Sequence, residues 1–373
     1  MRAAIVGSGG IAQIHANLIR QIGGSVVAVC SRTLSGAQSL GLGSAYDNLA
    51  AMLRAERPDV VHVCSPNCFH KEHTIAALEA GAHVFCEKPL ATTQDEAARM
   101  VEAAERASRI GAVGYCYRGY SAIQELRLAA ASRRFGDLRR VCGEYLSQDV
   151  FDPAKYVWHF TSGMSGPAYA LLDYGVHWFD LVEHVTGGQF VELSAQFATH
   201  QRHRVWRGLP GEGPRPPHGK QLADGSVEVD VALEDHADLL FRLSSGACGS
   251  FTVFPASPGN PNHIVLSIDG SKGGFDWCQE TADCYVDRSR GDKALRHRDP
   301  ARLPAVAVGL VSAPMGHPEG YLDAFRSIVD AAWRAMKGEA SSYPSFMSGL
   351  RGNAIVDAAI KSARLRQPIE IKT

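Results

Sequence analysis

Short apolar runs alternate with segments of helical period through the first third of the chain. That alternation marks a parallel sheet wound with crossover helices, because each buried strand needs a covering helix to bring the chain back. Residues 3–6, 26–30, 60–64, 82–86 and 111–115 read as strands, and 11–21, 48–55, 72–80 and 94–108 as helices. Pro58 and Gly81 supply two of the stops. After Tyr120 the period changes. A helix over 123–131, a strand over 138–146 and a helix over 168–185 lead into strands at 190–198, 227–233, 237–243, 249–254, 263–268 and 274–277. Helices resume at 321–336 and 346–364. The fold class is therefore α/β: a doubly wound, Rossmann-type dinucleotide domain over 1–120, then an α+β domain over 121–373 with a large open, mostly antiparallel sheet.

Length agrees, since 373 residues favour two domains. With 45% hydrophobic and 21% charged residues the chain is an ordinary globular one. Its 38 Lys+Arg against 39 Asp+Glu leave no field to gather a polyanion or a lipid surface, so neither nucleic acid nor membrane is an expected partner. The opening MRAAIVGSGG meets glycine too soon for an export signal, and apolar windows such as 304–311 fall short of the roughly 18 residues of a spanning helix. A cytoplasmic location follows as the expectation. Nine scattered cysteines, with no Cys-x-x-Cys pair, read as reduced thiols. The one Gly/Pro-rich tract, 208–219, reads as a long loop. A sheet of the size expected in the second domain needs cover on both faces, which points to a homodimer or homotetramer joined through it.

Gly7-Ser8-Gly9-Gly10-Ile11-Ala12 directly follows a strand and precedes a helix. The first glycine permits the tight turn, the second lets backbone approach a pyrophosphate, and Ala12 lets the helix pack closely. NAD sites usually place a carboxylate at the end of the second strand, whereas this chain reads Cys30-Ser31-Arg32-Thr33. Ser31 and Arg32 suit a 2′-phosphate, so the cofactor read from these residues is NADP, with NAD as the alternative. The third strand ends in Ser65-Pro66-Asn67-Cys68-Phe69-His70, at the carboxyl edge where such sheets bind ligands. Asn67 and His70 read either as facing a nicotinamide or as turn and cap residues.

Glu87-Lys88-Pro89 follows the next strand at the same edge. A lysine there favours an alkoxide-like oxygen as hydride leaves, and Pro89, in a constrained turn, would fix it. In Asp173-Tyr-Gly-Val-His177-Trp-Phe-Asp180, extended to His184, spacings of four, three and four put the four polar residues on one helical face. Three readings stay open for that stripe: an acid/base surface with His177 as base, a divalent metal site, or a solvated face.

On these motifs, with GYCYR ending at Arg118 and LLDYGVHWFD over 171–180, the chain resembles the glucose-fructose oxidoreductase, inositol dehydrogenase and rhizopine-catabolism (Gfo/Idh/MocA) family over its whole length. The resemblance implies hydride transfer at a ring carbon of a sugar or cyclitol, without a metal, and a catalytic set of Lys88, Asp173 and His177. Where members of that family often carry a Gly-Gly-Gly run, this chain reads Gly163-Met164-Ser165-Gly166, which bears on substrate shape near Trp158 and His159. Arg118, Trp158 and His317 are added as candidate substrate contacts. Two rival functions remain: a dinucleotide-binding regulator, and an enzyme with tightly held NAD that acts as glycosidase or isomerase without net redox.

Overall fold

The computed structural model describes residues 1–209, 212–216, 218–289, 291–303, 313–314 and 316–372. The apolar window 304–311, and residues 210, 211 and 217 of the long loop, lie outside them.

Six strands in the first part of the chain are β1 (Arg2–Val6), β2 (Ser25–Cys30), β3 (Ser44–Tyr46), β4 (Val60–Val63), β5 (His83–Cys86) and β6 (Gly111–Val113). All pair in parallel, in the order β3-β2-β1-β4-β5-β6. β4 is buried along its whole length, as a strand covered on both faces must be, which is why these strands read as largely apolar runs. The order turns back between β1 and β4, the switch point at which open α/β sheets leave a crevice beyond the carboxyl ends of their strands. The short β3 and the helix Leu34–Gln38 before it were not anticipated, being too short and too polar to show a period.

The compact units are not consecutive stretches. One comprises 1–124 and 299–353, the other 125–298 and 354–373, so a division into 1–120 and 121–373 leaves out the return of the chain to the first unit. The helix Tyr321–Met336 makes that return with a buried stripe of Ala324, Phe325, Ile328, Ala332 and Trp333. Glycines allow its approach: a Cβ on Gly119 would lie 1.9 Å from the Ala324 carbonyl oxygen, and one on Gly24 would lie 2.4 Å from the Trp333 ring. Helical period predicts that helix but carries no information about which sheet its stripe will meet.

The second unit holds β7 (Leu138–Leu146), β8 (Phe190–Ala198), β9 (His203–Trp206), β10 (Lys220–Gln221), β11 (Val227–Asp230), β12 (His236–Leu243), β13 (Cys248–Phe254), β14 (His263–Gly270), β15 (Gly273–Cys278), β16 (Cys284–Asp287), β17 (Ala294–His297) and β18 (Ile369–Glu370). Nine of them form one sheet in the order β17-β16-β15-β14-β7-β13-β12-β8-β18, and β10-β11-β9 form a small separate one. Among the described residues only β7 and β13 pair in parallel within the large sheet, so the mostly antiparallel expectation holds. One face packs on the helix Val176–Thr186, whose Trp178 stacks on Phe251 at 4.4 Å and donates from Nε1 to the Val265 carbonyl at 2.8 Å. The other face is half-exposed, and β12 alternates strictly between buried Ala237, Leu239, Phe241 and exposed Asp238, Leu240, Arg242.

Candidate active site

In the first unit the glycine turn joins β1 to the helix Gly10–Gln21. Gly7 has φ of +117°, its N–H donates to the Cys30 carbonyl at 2.8 Å, and a Cβ there would lie 2.4 Å from the Cys64 carbonyl oxygen. That glycine is demanded by the protein's own backbone, ligand or not. Gly9 and Gly10 differ: among the described residues nothing lies within 4 Å of a Cβ on either, so the space before the helix N-terminus is open. Helical N–H groups without intrahelical partners point into such space and suit a phosphate. Ile11 is half-buried in the first turn behind it.

Ser8 Oγ and Ser31 Oγ share a hydrogen bond of 2.8 Å, tying the turn to the end of β2. Arg32 follows, exposed, with no side-chain hydrogen bond or ion pair among the described residues. Burial, with the nearby Asp47 carboxylate, pushes the Cys30 thiol up to about 11, and the residues that directly follow β2, Ser31 and Arg32, are neutral and cationic.

Past β4, Asn67 is buried in the tight turn Asn67–Phe69. His70 opens the next helix buried, with Nδ1 2.8 Å from the Pro89 carbonyl and Nε2 2.8 Å from the Ser65 carbonyl, and the neutral ring that burial favours donates to one of the two. It thus clips the end of β4 to the Lys88-Pro89 turn, and burial holds its pKa below the ordinary value. Ser65 is fixed further by its Oγ, 2.9 Å from His73 Nδ1. The Lys88–Pro89 peptide bond is cis. Lys88 is half-buried, and its backbone N–H donates to Glu87 Oε2 at 3.1 Å. Arg118 donates to Ser348 Oγ at 3.0 Å, and His317 lies in an exposed turn ahead of the helix Tyr321–Met336.

In the second unit the Asp173 to His184 stripe departs from a plain α-helix. Leu171–Gly175 forms a π-turn, and the α-helix starts only at Val176. A π-turn takes in one more residue than an α-turn, so Asp173 and His177 are not related by ordinary helical phase; such turns gather at functional sites. His177 and Asp180 are buried and His184 is half-buried, which overturns the solvated-face reading. Asp173 Oδ2 lies 3.9 Å from His159 Nε2, and Trp158 stacks on His159 at 3.7 Å. Among the described residues the group spaced to hold a metal is His263, Cys278 and Glu280, with no member from the stripe.

Sequence reasoning missed the group that anchors this segment. Glu234, buried, accepts from the backbone N–H of Tyr169 with both oxygens at 3.0 Å and from that of Leu171 at 3.1 Å. Those are the orphan donors of a helix start, and burial pushes the carboxyl up to about 7. An acidic pair in a loop, Glu234-Asp235, gives no sequence signal of that role. Glu212 was missed likewise: its carboxylate accepts from Arg207 N at 2.6 Å and Leu209 N at 3.0 Å, pinning the long loop where Gly213 meets Trp158.

The domain models decide the lineage. Residues 1–115 match the oxidoreductase family with NAD-binding Rossmann fold (GFO_IDH_MocA), and residues 123–276 match the GFO/IDH/MocA C-terminal domain. The chain belongs to this family. Like other Gfo/Idh/MocA proteins it is an oxidoreductase with an NAD-binding first domain. Over 193 residues it is 37% identical to the D-glucoside 3-dehydrogenase of Escherichia coli K12, a match spanning 50% of this chain and 54% of that protein. A longer match, 26% identical and covering 84% of this chain and 80% of the other, is to the levoglucosan dehydrogenase of Pseudarthrobacter phenanthrenivorans. The crystal structure of an oxidoreductase domain protein from Kribbella flavida superposes with a TM-score of 0.86 at 28% identity, over 100% of this chain and 99% of that one. No helix among the described residues of this Gfo/Idh/MocA protein is long and apolar enough to cross a membrane.

Proposed function

We propose that this protein moves a hydride between a nicotinamide dinucleotide and a ring carbon of a pyranose sugar, with cyclitols as the neighbouring substrate class. The observation that carries the reading is the open space before the helix at Gly9 and Gly10, on a chain that also carries Lys88, Asp173 and His177. The names of the two relatives, both sugar dehydrogenases, support the substrate class. Gly7, Ser8, Gly9, Gly10 and Ile11 would hold the pyrophosphate, Ser31 and Arg32 the adenosine ribose, and Ser65, Asn67 and Lys88 the nicotinamide end, with buried His70 and Glu87 supporting that end from behind through their hydrogen bonds. When bound, the cofactor supplies the hydride acceptor. His177 takes the hydroxyl proton, the Lys88 ammonium stabilises negative charge growing on that oxygen, and Asp173 orients the ring or a neighbouring hydroxyl. Arg118, Trp158 and His317 are assigned to the rest of the sugar.

Within this reading the preferred cofactor is NADP, because an exposed guanidinium and a hydroxyl stand at the end of β2 where a carboxylate would select NAD. A cytoplasmic homo-oligomer joined through the half-exposed face of the nine-stranded sheet belongs to the same reading, with exposed Leu240 of β12 on that face. The test is a nicotinamide-absorbance screen of D-glucosides, levoglucosan and inositols with NAD and NADP in parallel. Turnover of at least one pyranose is expected, with Arg32→Ala lowering kcat/KM for NADP about tenfold and leaving that for NAD unchanged. No turnover of any sugar with either cofactor would overturn the reading.

A further inference from the structure

The buried hydrogen bonds behind Glu87 run in one direction. Trp333 Nε1, which can only donate, gives its hydrogen to His62 Nε2 at 3.1 Å. His62 therefore carries its own hydrogen on Nδ1, which faces His15 Nδ1 at 2.7 Å. Only a bare Nδ1 on His15 can accept it, so the hydrogen of His15 sits on Nε2, 2.8 Å from Glu87 Oε1. Glu87 Oε2 in turn accepts the backbone N–H of Lys88 at 3.1 Å. A second proton on His15 would set two N–H groups head to head across that 2.7 Å contact, and one on His62 would meet the Trp333 N–H at 3.1 Å, so the geometry leaves room for one hydrogen on each ring. Burial and the neighbouring His15 hold the His62 pKa well below its ordinary value, in agreement.

The surroundings leave this chain no alternative arrangement. His62 lies flat on Phe85 at 5.2 Å, and His15 meets Phe325 edge-on at 5.1 Å. A Cβ on Gly114 would stand 3.1 Å from the Glu87 carboxylate, so Glu87 is confined too. Stability alone does not call for such a construction, since buried polar groups replaced by well-packed apolar ones of similar volume often leave a protein as stable or more so. What apolar side chains would lack is the delivery of one N–H to one chosen oxygen of Glu87, which fixes the rotation of the carboxylate whose other oxygen holds Lys88.

We propose that Trp333, His62 and His15 are positioning residues, a one-way donor chain that orients the Glu87 carboxylate and through it the Lys88 segment for hydride transfer. The inference rests on the role given to Lys88 in the proposed reaction. It is tested in the full chain with His15→Phe, Trp333→Phe and His15→Gln, the last keeping a donor for Glu87 and an acceptor for His62. On the sugar that the wild type oxidises, His15→Phe should lower kcat about tenfold or more with KM and cofactor Kd within about threefold. Trp333→Phe, which removes only the first hydrogen, should cost about two- to threefold, and His15→Gln should recover most of the loss. A second readout needs no turnover: the rate at which methyl acetimidate modifies Lys88, followed by peptide mass spectrometry, should change in His15→Phe and return in His15→Gln. Folded His15→Phe with wild-type kcat and wild-type Lys88 labelling would overturn the inference, whatever its Tm. Should the wild type oxidise no sugar, the function reading fails while the labelling still decides the positioning role. Should His15→Phe not fold, the Trp333→Phe and His15→Gln comparison decides it.

Discussion

Two segments carry the proposed chemistry, and they are held by opposite means. Lys88 follows a parallel strand and is steadied by side chains: three buried rings pass hydrogens to Glu87, which accepts its backbone N–H. Asp173 and His177 lie on a wide helical turn that is steadied through the backbone, by Glu234 accepting the first N–H groups. The contrast follows from local geometry. A strand ends with its hydrogen bonds spent on its neighbours, so what remains to be fixed is orientation. A helix begins with donors unspent, so what remains is to satisfy them. Cutting the ring chain should therefore disturb reactivity more than folding, whereas removing the Glu234 acceptor should disturb folding, because buried N–H groups are left without partners.

The largest effect expected is on the chemistry common to both segments. Lys88→Met and His177→Ala should each lower kcat about 100-fold or more, with cofactor Kd by fluorescence titration within a few-fold of wild type. If one of them leaves the rate within a few-fold, the segment it belongs to is a scaffold rather than a reacting one, and the comparison collapses to a single catalytic segment.

Glu234 sharpens the comparison through pH. Its carboxyl rises from the ordinary 4.5 to about 7, so between those values the folded protein holds a proton that the unfolded chain has released. Stability attributable to this group is thus fully present below the unfolded value and lost as pH climbs through the folded one. A displacement of that size corresponds to about 3 kcal/mol. Denaturant unfolding from acid to neutral pH should show that decline in the difference between the wild type and Glu234→Gln. An equally steep profile in the variant would place the titration elsewhere. His62 works the other way: burial keeps it neutral while the imidazole of the unfolded chain gains a proton below about 6.5, so its contribution rises with pH up to that value and is shared by the variant.

How legible all this was follows from the same contrast. Strands buried on both faces announce themselves as apolar runs, and the glycine turn is local, so the first sheet and its glycine loop stand in the sequence almost complete. The motifs around Lys88 and His177 are equally local. Their supports are not. His62 in Val60–Val63 looks like any polar interruption of a core strand, and its partners lie 47 and 271 positions away, with Glu87 72 positions from His15. Only the fold makes that chain. The π-turn was invisible for another reason: a search at 3.6 residues per turn counts Asp173 and His177 as one face and cannot register the added residue. Glu234, in a loop beside Asp235, has no period to betray it.

The smallest effect expected lies in the glycine turn, where it separates what the backbone needs from what the ligand needs. Gly7 is committed by φ and by the Cys64 carbonyl, so a change there tests folding and says nothing about binding. Gly9 has ordinary extended backbone and open space beyond its Cα, so Gly9→Ala should fold with a Tm within a few degrees of wild type. If the open space is where a pyrophosphate lies, the added methyl should raise cofactor Kd about tenfold, or about 1.4 kcal/mol, measured by nicotinamide fluorescence. An unchanged Kd would move the pyrophosphate away from the turn. The first unit would then keep its ring chain and its lysine but lose the anchor that brings a nicotinamide to them.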